Sequence, residues 1–159
     1  MAYDAQHDGR RDFHFLYGRW AVRHRRLTQR GVGADAWDEF DGTSFTQGLM
    51  DGLCNVEHND FPDRGFQGVA FRTFAVAARR WSIHWVSSLD GIMQPPVHGG
   101  FEDGVGVFLG EDIDGDRPVK VRYLWDGIAA GSARWSQAFS YDGGETWEEN
   151  WVMCFTRTA

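Results

Sequence analysis

The sequence predicts an all-β protein, a single antiparallel β-barrel of eight to ten strands. Three observations carry this. About ten short segments alternate apolar and polar residues between turn signals. No segment shows the 3.6-residue apolar period of an amphipathic helix. The chain ends in a hairpin signal, Asp142-Gly143-Gly144, followed by a long strand that includes Trp147, Glu149, Trp151, Met153, Phe155 and Arg157 at period two. A strand of about eleven residues spans about 36 Å, which suits a tilted barrel crossing. A meander connected mostly by hairpins favours closure, because closure leaves no unpaired edge.

The elements follow in order. Residues 1–11 are polar and read as a flexible tail, with the barrel domain over 12–159. Phe13, Leu16 and Tyr17 fit one short helical turn, broken by Gly18. Trp20, Val22 and His24 alternate as a first strand. Segments 35–40 and 43–50 are weaker strands, punctuated by the pairs Asp41-Gly42 and Asp51-Gly52. Strands then read over 53–58, 66–76, 80–87, 101–109, 118–125 and 133–141. Residues 89–99 form the longest irregular stretch, stiffened by Pro95 and Pro96. This loop reads either as a plain connection or as a portal lid, because apolar residues on an exposed loop need something to cover.

Composition bounds the function. The chain has 159 residues, enough for one domain with a substantial core. Eight Trp and twelve Phe imply an interior lined by large rings. The net charge of −7 excludes a general nucleic-acid binder, which needs clustered Lys and Arg. The run Arg23-His24-Arg25-Arg26 is a local exception and reads as a strand with one solvated face. Cys54 and Cys154 are expected to stay reduced, since no secretion signal is visible. No segment approaches a membrane span. The expected location is cytoplasmic, with no membrane partner.

Three features resemble the lipocalin-like (calycin) barrels. Tyr17-Gly18-Arg19-Trp20 matches the glycine-x-tryptophan that opens those folds, the short helical turn precedes it, and Arg157 stands near the end of the last strand. The resemblance implies that Arg157 covers Trp20, a stack worth roughly 0.5–2 kcal/mol. Residues 18–157 also resemble a family of small bacterial lipocalin-like proteins of unassigned function. The segments that carry it are Trp81-Ser82-Ile83-His84-Trp85, Val121-Arg122-Tyr123-Leu124-Trp125 and Trp147-Glu148-Glu149-Asn150-Trp151. It implies a fold and a cavity. Ser140-x-Asp142-x-Gly144-x-Thr146-Trp147 also fits the Asp-box of sialidase propellers. One copy cannot make a propeller, so it reads as a turn-stabilising device.

The residues offer little bond chemistry. None of the six His forms an HxH or HExxH pair, and no metal site is expected. Haem held by His24, His84 or His98 is the remote exception, and no cofactor is expected. The glycines near 99–106 lack a following helix, so no phosphate-binding terminus arises. No Ser-centred nucleophile elbow is present.

What remains is a set of polar groups on apolar faces. Strand parity places Glu149, Gln137, Tyr123 and His24 inward, among Trp85, Trp125, Trp135 and Trp151. These eight are the expected ligand-binding residues. Glu149 reads either as half of an internal ion pair with Arg26, Arg157 or His24, or as a polar group of an apolar pocket. One bulge flips every downstream assignment. The opposite-face residues Arg72, His84, Arg122, Arg134 and Asn150 therefore stay in view, and Asn55 and Glu57 sit on a strand too short to orient.

Three functions fit. The first is a non-enzymatic pocket for a small hydrophobic or aromatic molecule. The second is a cofactor-free cyclase or isomerase, with Glu149 or His24 moving a proton. The third is a filled structural barrel whose outer face makes a homodimer.

Overall fold

A computed structural model describes residues 8–159 as ten antiparallel strands in a closed barrel. The strands are β1 (Gly18–Leu27), β2 (Trp37–Leu49), β3 (Cys54–Phe61), β4 (Phe66–Ala75) and β5 (Arg80–Ser87). They continue as β6 (Val97–Glu102), β7 (Val105–Asp114), β8 (Arg117–Asp126), β9 (Ser132–Ser140) and β10 (Glu148–Arg157). Each strand pairs with its sequence neighbours, and β1 closes the ring by pairing with both β2 and β10. The one predicted helical turn is a 3-10 turn, His14–Leu16. Among the described residues no helix is long and apolar enough to cross a membrane.

The strand total agrees with expectation through two errors that cancel. Segments 35–40 and 43–50 form one strand, β2, with Asp41-Gly42 in its middle. Gly42 serves close approach there and not a turn: a Cβ would lie 2.7 Å from the Asp60 carbonyl and 3.0 Å from His24 Nε2. Conversely, the strand expected from 101 to 109 is split between β6 and β7. Asp103 (φ 52°) and Gly104 (φ 76°) make the hairpin between them. β3 also runs three residues past His58, to Phe61, where Pro62–Arg64 turns.

One end of the barrel is shut by the segment before β1. Phe13 and Leu16 are fully buried, and Phe13 meets Trp81 and Phe101 edge-on at 4.9 and 5.0 Å. Trp20 Nε1 donates to the Leu16 carbonyl at 2.9 Å. Arg157 lies 4.1 Å above the Trp20 ring and donates to the carbonyls of Phe15, Tyr17 and Ala130. A cation–π stack and charged hydrogen bonds thus fasten the end of the last strand to the start of the first. The predicted tail 1–11 lies in large part outside the described residues; within it, the Gly9 carbonyl accepts from Trp81 Nε1 at 3.1 Å.

The β9–β10 turn is built by side chains. Ser140 Oγ donates to Asp142 Oδ1 and accepts from the Gly144 N–H, both at 2.8 Å. Asp142 also accepts from the Thr146 N–H and hydroxyl. These bonds, led by the Thr146 hydroxyl, pull the Asp142 carboxyl from 3.8 down to about 2. A depressed carboxyl stabilises the fold above its unfolded pKa and loses that effect as pH falls through the folded value. Asp142→Ala is therefore expected to lower the melting temperature at pH 7. The difference from wild type should shrink between about pH 4 and pH 2. Thermal melts across that range check it, and an unchanged melting temperature at pH 7 contradicts it.

Candidate functional site

Inward-facing side chains divide the barrel interior into two sectors. Along β2, β3 and β4 the inward residues include Ser44, Thr46, Asn55, Glu57, Asn59 and Arg72, all buried. The other strands contribute mainly rings. Ten strands make a wider ring than the eight that side chains alone just fill, so space remains between the sectors. That space is a cavity of about 360 Å3. Its aromatic wall includes Trp85, Trp125, Trp135, Trp151 and Tyr123. Trp151 is the hub of this wall: Trp135 and Trp85 meet it edge-on, with ring centroids 5.6 and 6.1 Å away. Trp85 packs against Gly68, where a Cβ would stand 2.0 Å from the indole.

Six of the eight expected residues line the cavity: Gln137, Tyr123, Trp85, Trp125, Trp135 and Trp151. Burial pushes the Tyr123 phenol up to about 12, so it stays protonated and can donate. Gln137 Nε2 donates to Asn150 Oδ1 at 2.7 Å. The other two expected residues lie elsewhere. Glu149 faces outward, where Arg134 donates to it at 3.3 Å. The cause is a bulge at Asn150: Glu149 pairs with Ala138 while Trp151 pairs with Gln137, so the two share no parity. Trp147 is outside as well, under Arg122 at 4.5 Å. Every inward assignment before the bulge is thereby reversed, and those after it stand.

His24 points inward as expected, but it sits behind the wall. Its ring is fully buried, stacked on Phe40 at 4.8 Å, and its Nδ1 accepts from Trp151 Nε1 at 3.1 Å. The acceptor role of Nδ1 puts the imidazole proton on Nε2, which has no hydrogen-bond partner among the described residues. His24 thus positions Trp151. Burial, reinforced by Arg26, lowers its pKa from 6.5 to about 3.

The main ion pair of the interior was not legible at Glu149. It is Arg72 with Glu57, 2.7 Å apart, with side chains 3% and 4% exposed. Ser44 Oγ donates to the other Glu57 oxygen at 2.9 Å, and Arg72 Nη1 donates to Asn55 Oδ1 at 2.9 Å. The Arg72 guanidinium also lies 4.9 Å from the Phe13 ring centroid. A signal did exist. Asn55, Glu57, Asn59 and Phe61 alternate on β3, but the sequence pattern ends the strand at His58, too short to orient it. Likewise Arg72 shares the parity of Phe66 and Phe74, which are both buried.

The cavity opens at the end opposite the Arg157 clamp. Residues Leu89, Asp90, Gln94 and Pro95 of the β5–β6 loop border it. The loop is held by the Gln94 N–H donating to the Trp85 carbonyl and by a bridge between Met93 and Val86. Leu89, Ile92 and Met93 project into solvent beside the mouth. β5 and β6 pair over three residues, fewer than any other neighbouring strands.

The architecture is a single closed ten-stranded antiparallel barrel with one plugged end and an internal cavity, consistent with a lipocalin-like fold. No protein-family model and no curated protein matches the chain. Among the described residues, no group of three or more metal-binding side chains comes together. Cys54 is a buried free thiol and Cys154 an exposed one.

Two outcomes are expected. Glu57→Gln leaves the Arg72 charge buried without its partner, which should cost about 3–5 kcal/mol in denaturant unfolding. A loss under about 1 kcal/mol would contradict the ion-pair assignment. His24 gives a pH dependence. Its folded pKa lies below its unfolded value, so the unfolded chain binds the extra proton and stability falls with pH from 6.5 toward 3. His24→Gln should flatten the stability profile across that window, and an identical slope in the variant would contradict the assignment.

Proposed function

We propose that this protein binds a small hydrophobic or aromatic molecule inside the barrel, without catalysing a reaction on it. The observation that carries the reading is the cavity of about 360 Å3 walled by indole rings. It falls at the small end of the range of about 300–1,000 Å3 typical of ligand sites. Edge-to-face indoles offer flat apolar surfaces to a planar guest. Buried polar atoms on wall residues add hydrogen-bonding capacity: Trp125 Nε1, Asn59 Oδ1 and Arg72 Nε have no hydrogen-bond partner among the described residues. The lipocalin-like resemblance points the same way, and membership of that bacterial family is part of the proposal.

The enzymatic alternative rested on Glu149 or His24 as the proton-transfer group. Glu149 lies outside the barrel and His24 behind Trp151, so neither is placed to reach a guest in the cavity. The filled-barrel alternative is disfavoured by the cavity itself. A cytoplasmic location and a homodimer remain compatible parts of the reading.

The test is tryptophan emission during titration with small aromatic compounds, since Trp85, Trp135 and Trp151 line the space. Saturable quenching is expected. Ala70 is a small cavity-lining residue on β4, and Ala70→Phe should fill the space and weaken that quenching at least about tenfold. Quenching that is absent for all compounds, or unaffected by Ala70→Phe in a folded variant, overturns the reading.

A further inference from the structure

One cation of the cavity wall has no ion-pair or hydrogen-bond partner in contact with it among the described residues. Of the three arginines that line the space, Arg72 is paired with Glu57 and Arg30 with Asp114, the latter at 2.8 Å. Asp114 is further occupied by the Tyr141 hydroxyl at 2.7 Å. Arg26 makes no ion pair and no hydrogen bond among the described residues. It lies 4.3 Å from the Trp151 ring centroid and 5.8 Å from that of Phe66. Its register partner on β2, Asp38, already binds Arg64 through both carboxylate oxygens. Burial, first, and the neighbouring Arg30 disfavour its charge, and the Asp38 carboxylate, held by Arg64, offsets this only in part. A half-buried guanidinium in this state gains most from an incoming anion. The Trp151 ring holds the guanidinium at the wall, and its N–H groups are open to a planar, bidentate acceptor.

The remaining lining charges are carboxylates across the ring. Asp112 on β7 accepts from the Ile113 N–H, and Asp90 in the β5–β6 loop accepts from the Ile92 N–H. In the strand order, β7 and the β5–β6 loop stand on the far arc from β1. An anionic guest is repelled from that arc and drawn toward Arg26. A ring attached to the anion then lies among Trp151, Trp135 and Trp85.

We propose that the guest is an aromatic carboxylate, with its carboxylate bound by Arg26 and its ring in the indole-walled cavity. This rests on the cavity-binding reading above and names its ligand class.

The test uses three probes with one ring system: 2-naphthoate, neutral 2-naphthamide and the cation 2-naphthylmethylammonium, titrated at low salt. Naphthoate is expected to bind about tenfold or more tightly than naphthamide, the scale of one charge-assisted bidentate contact. In Arg26→Gln the naphthoate-to-naphthamide preference should fall to near unity. Arg26→Lys, which keeps the charge but loses the planar fork, should retain part of it. Near-ultraviolet circular dichroism establishes that each variant is folded, and Arg26→Lys serves if Arg26→Gln is not. Equal binding of acid and amide, or a preference that survives Arg26→Gln, overturns the aromatic-carboxylate assignment and leaves the cavity reading standing. Tightest binding of the cation overturns it in favour of Asp112 or Asp90 as the anchor. Failure of all three probes to bind overturns both.

Discussion

The rest of the structure depends on closure of the sheet through β1. That strand is hydrogen-bonded to β2 on one side and β10 on the other, so no edge remains. Closure makes the two faces of every strand unequal. One face enters a water-poor interior and the other meets solvent. Polar groups that close inward must then find partners inside, which is why Glu57, Arg72, Asn55 and Ser44 form one connected network on adjacent strands. Arg157 secures the seam by tying the last strand to the Trp20 ring and to the carbonyls before β1.

Closure at ten strands also creates the candidate site. The wall is too wide for its own side chains to fill, and the 3-10 turn plugs only one end. The remaining volume takes its character from the sectors around it. Paired charges on β3 and β4 sit on one side, and interlocked indoles sit on the other. His24 belongs to this arrangement although it lines nothing. It accepts a hydrogen bond from the Trp151 indole N–H from behind and so fixes the ring on which Arg26 lies. The placement of Arg26 and Trp151 therefore rests on a buried neutral imidazole one layer outward.

The bulge at Asn150 shows how a single residue redistributes side chains between the two faces of a strand. Before it, Trp147 and Glu149 decorate the outside; after it, Trp151, Met153 and Phe155 build the interior. Asn150 itself is buried and accepts from Gln137, so the irregularity is held by a cavity residue. Bulges of this kind re-aim side chains near sites.

The sequence by itself determined the fold class, the short helical turn before the first strand and most of the ring wall. Those features depend on local signals: period-two alternation, glycine-rich turns, the Gly18–Trp20 start and the terminal Arg157. Gln137, Tyr123 and four tryptophans were legible because their strands carry no bulge before them or lie beyond it. Only the tertiary structure decided which charges are inside. Glu149 moved outward because a bulge leaves no mark in an alternating pattern. Glu57 and Arg72 moved inward because their parity becomes fixed only when β3 and β4 are registered against each other. That Arg26 makes no contact ion pair among the described residues was equally hidden, since it depends on Asp38 being held by Arg64 from a distant turn. Pairing of charges is a property of three-dimensional neighbours, and the sequence lists them without saying which will meet.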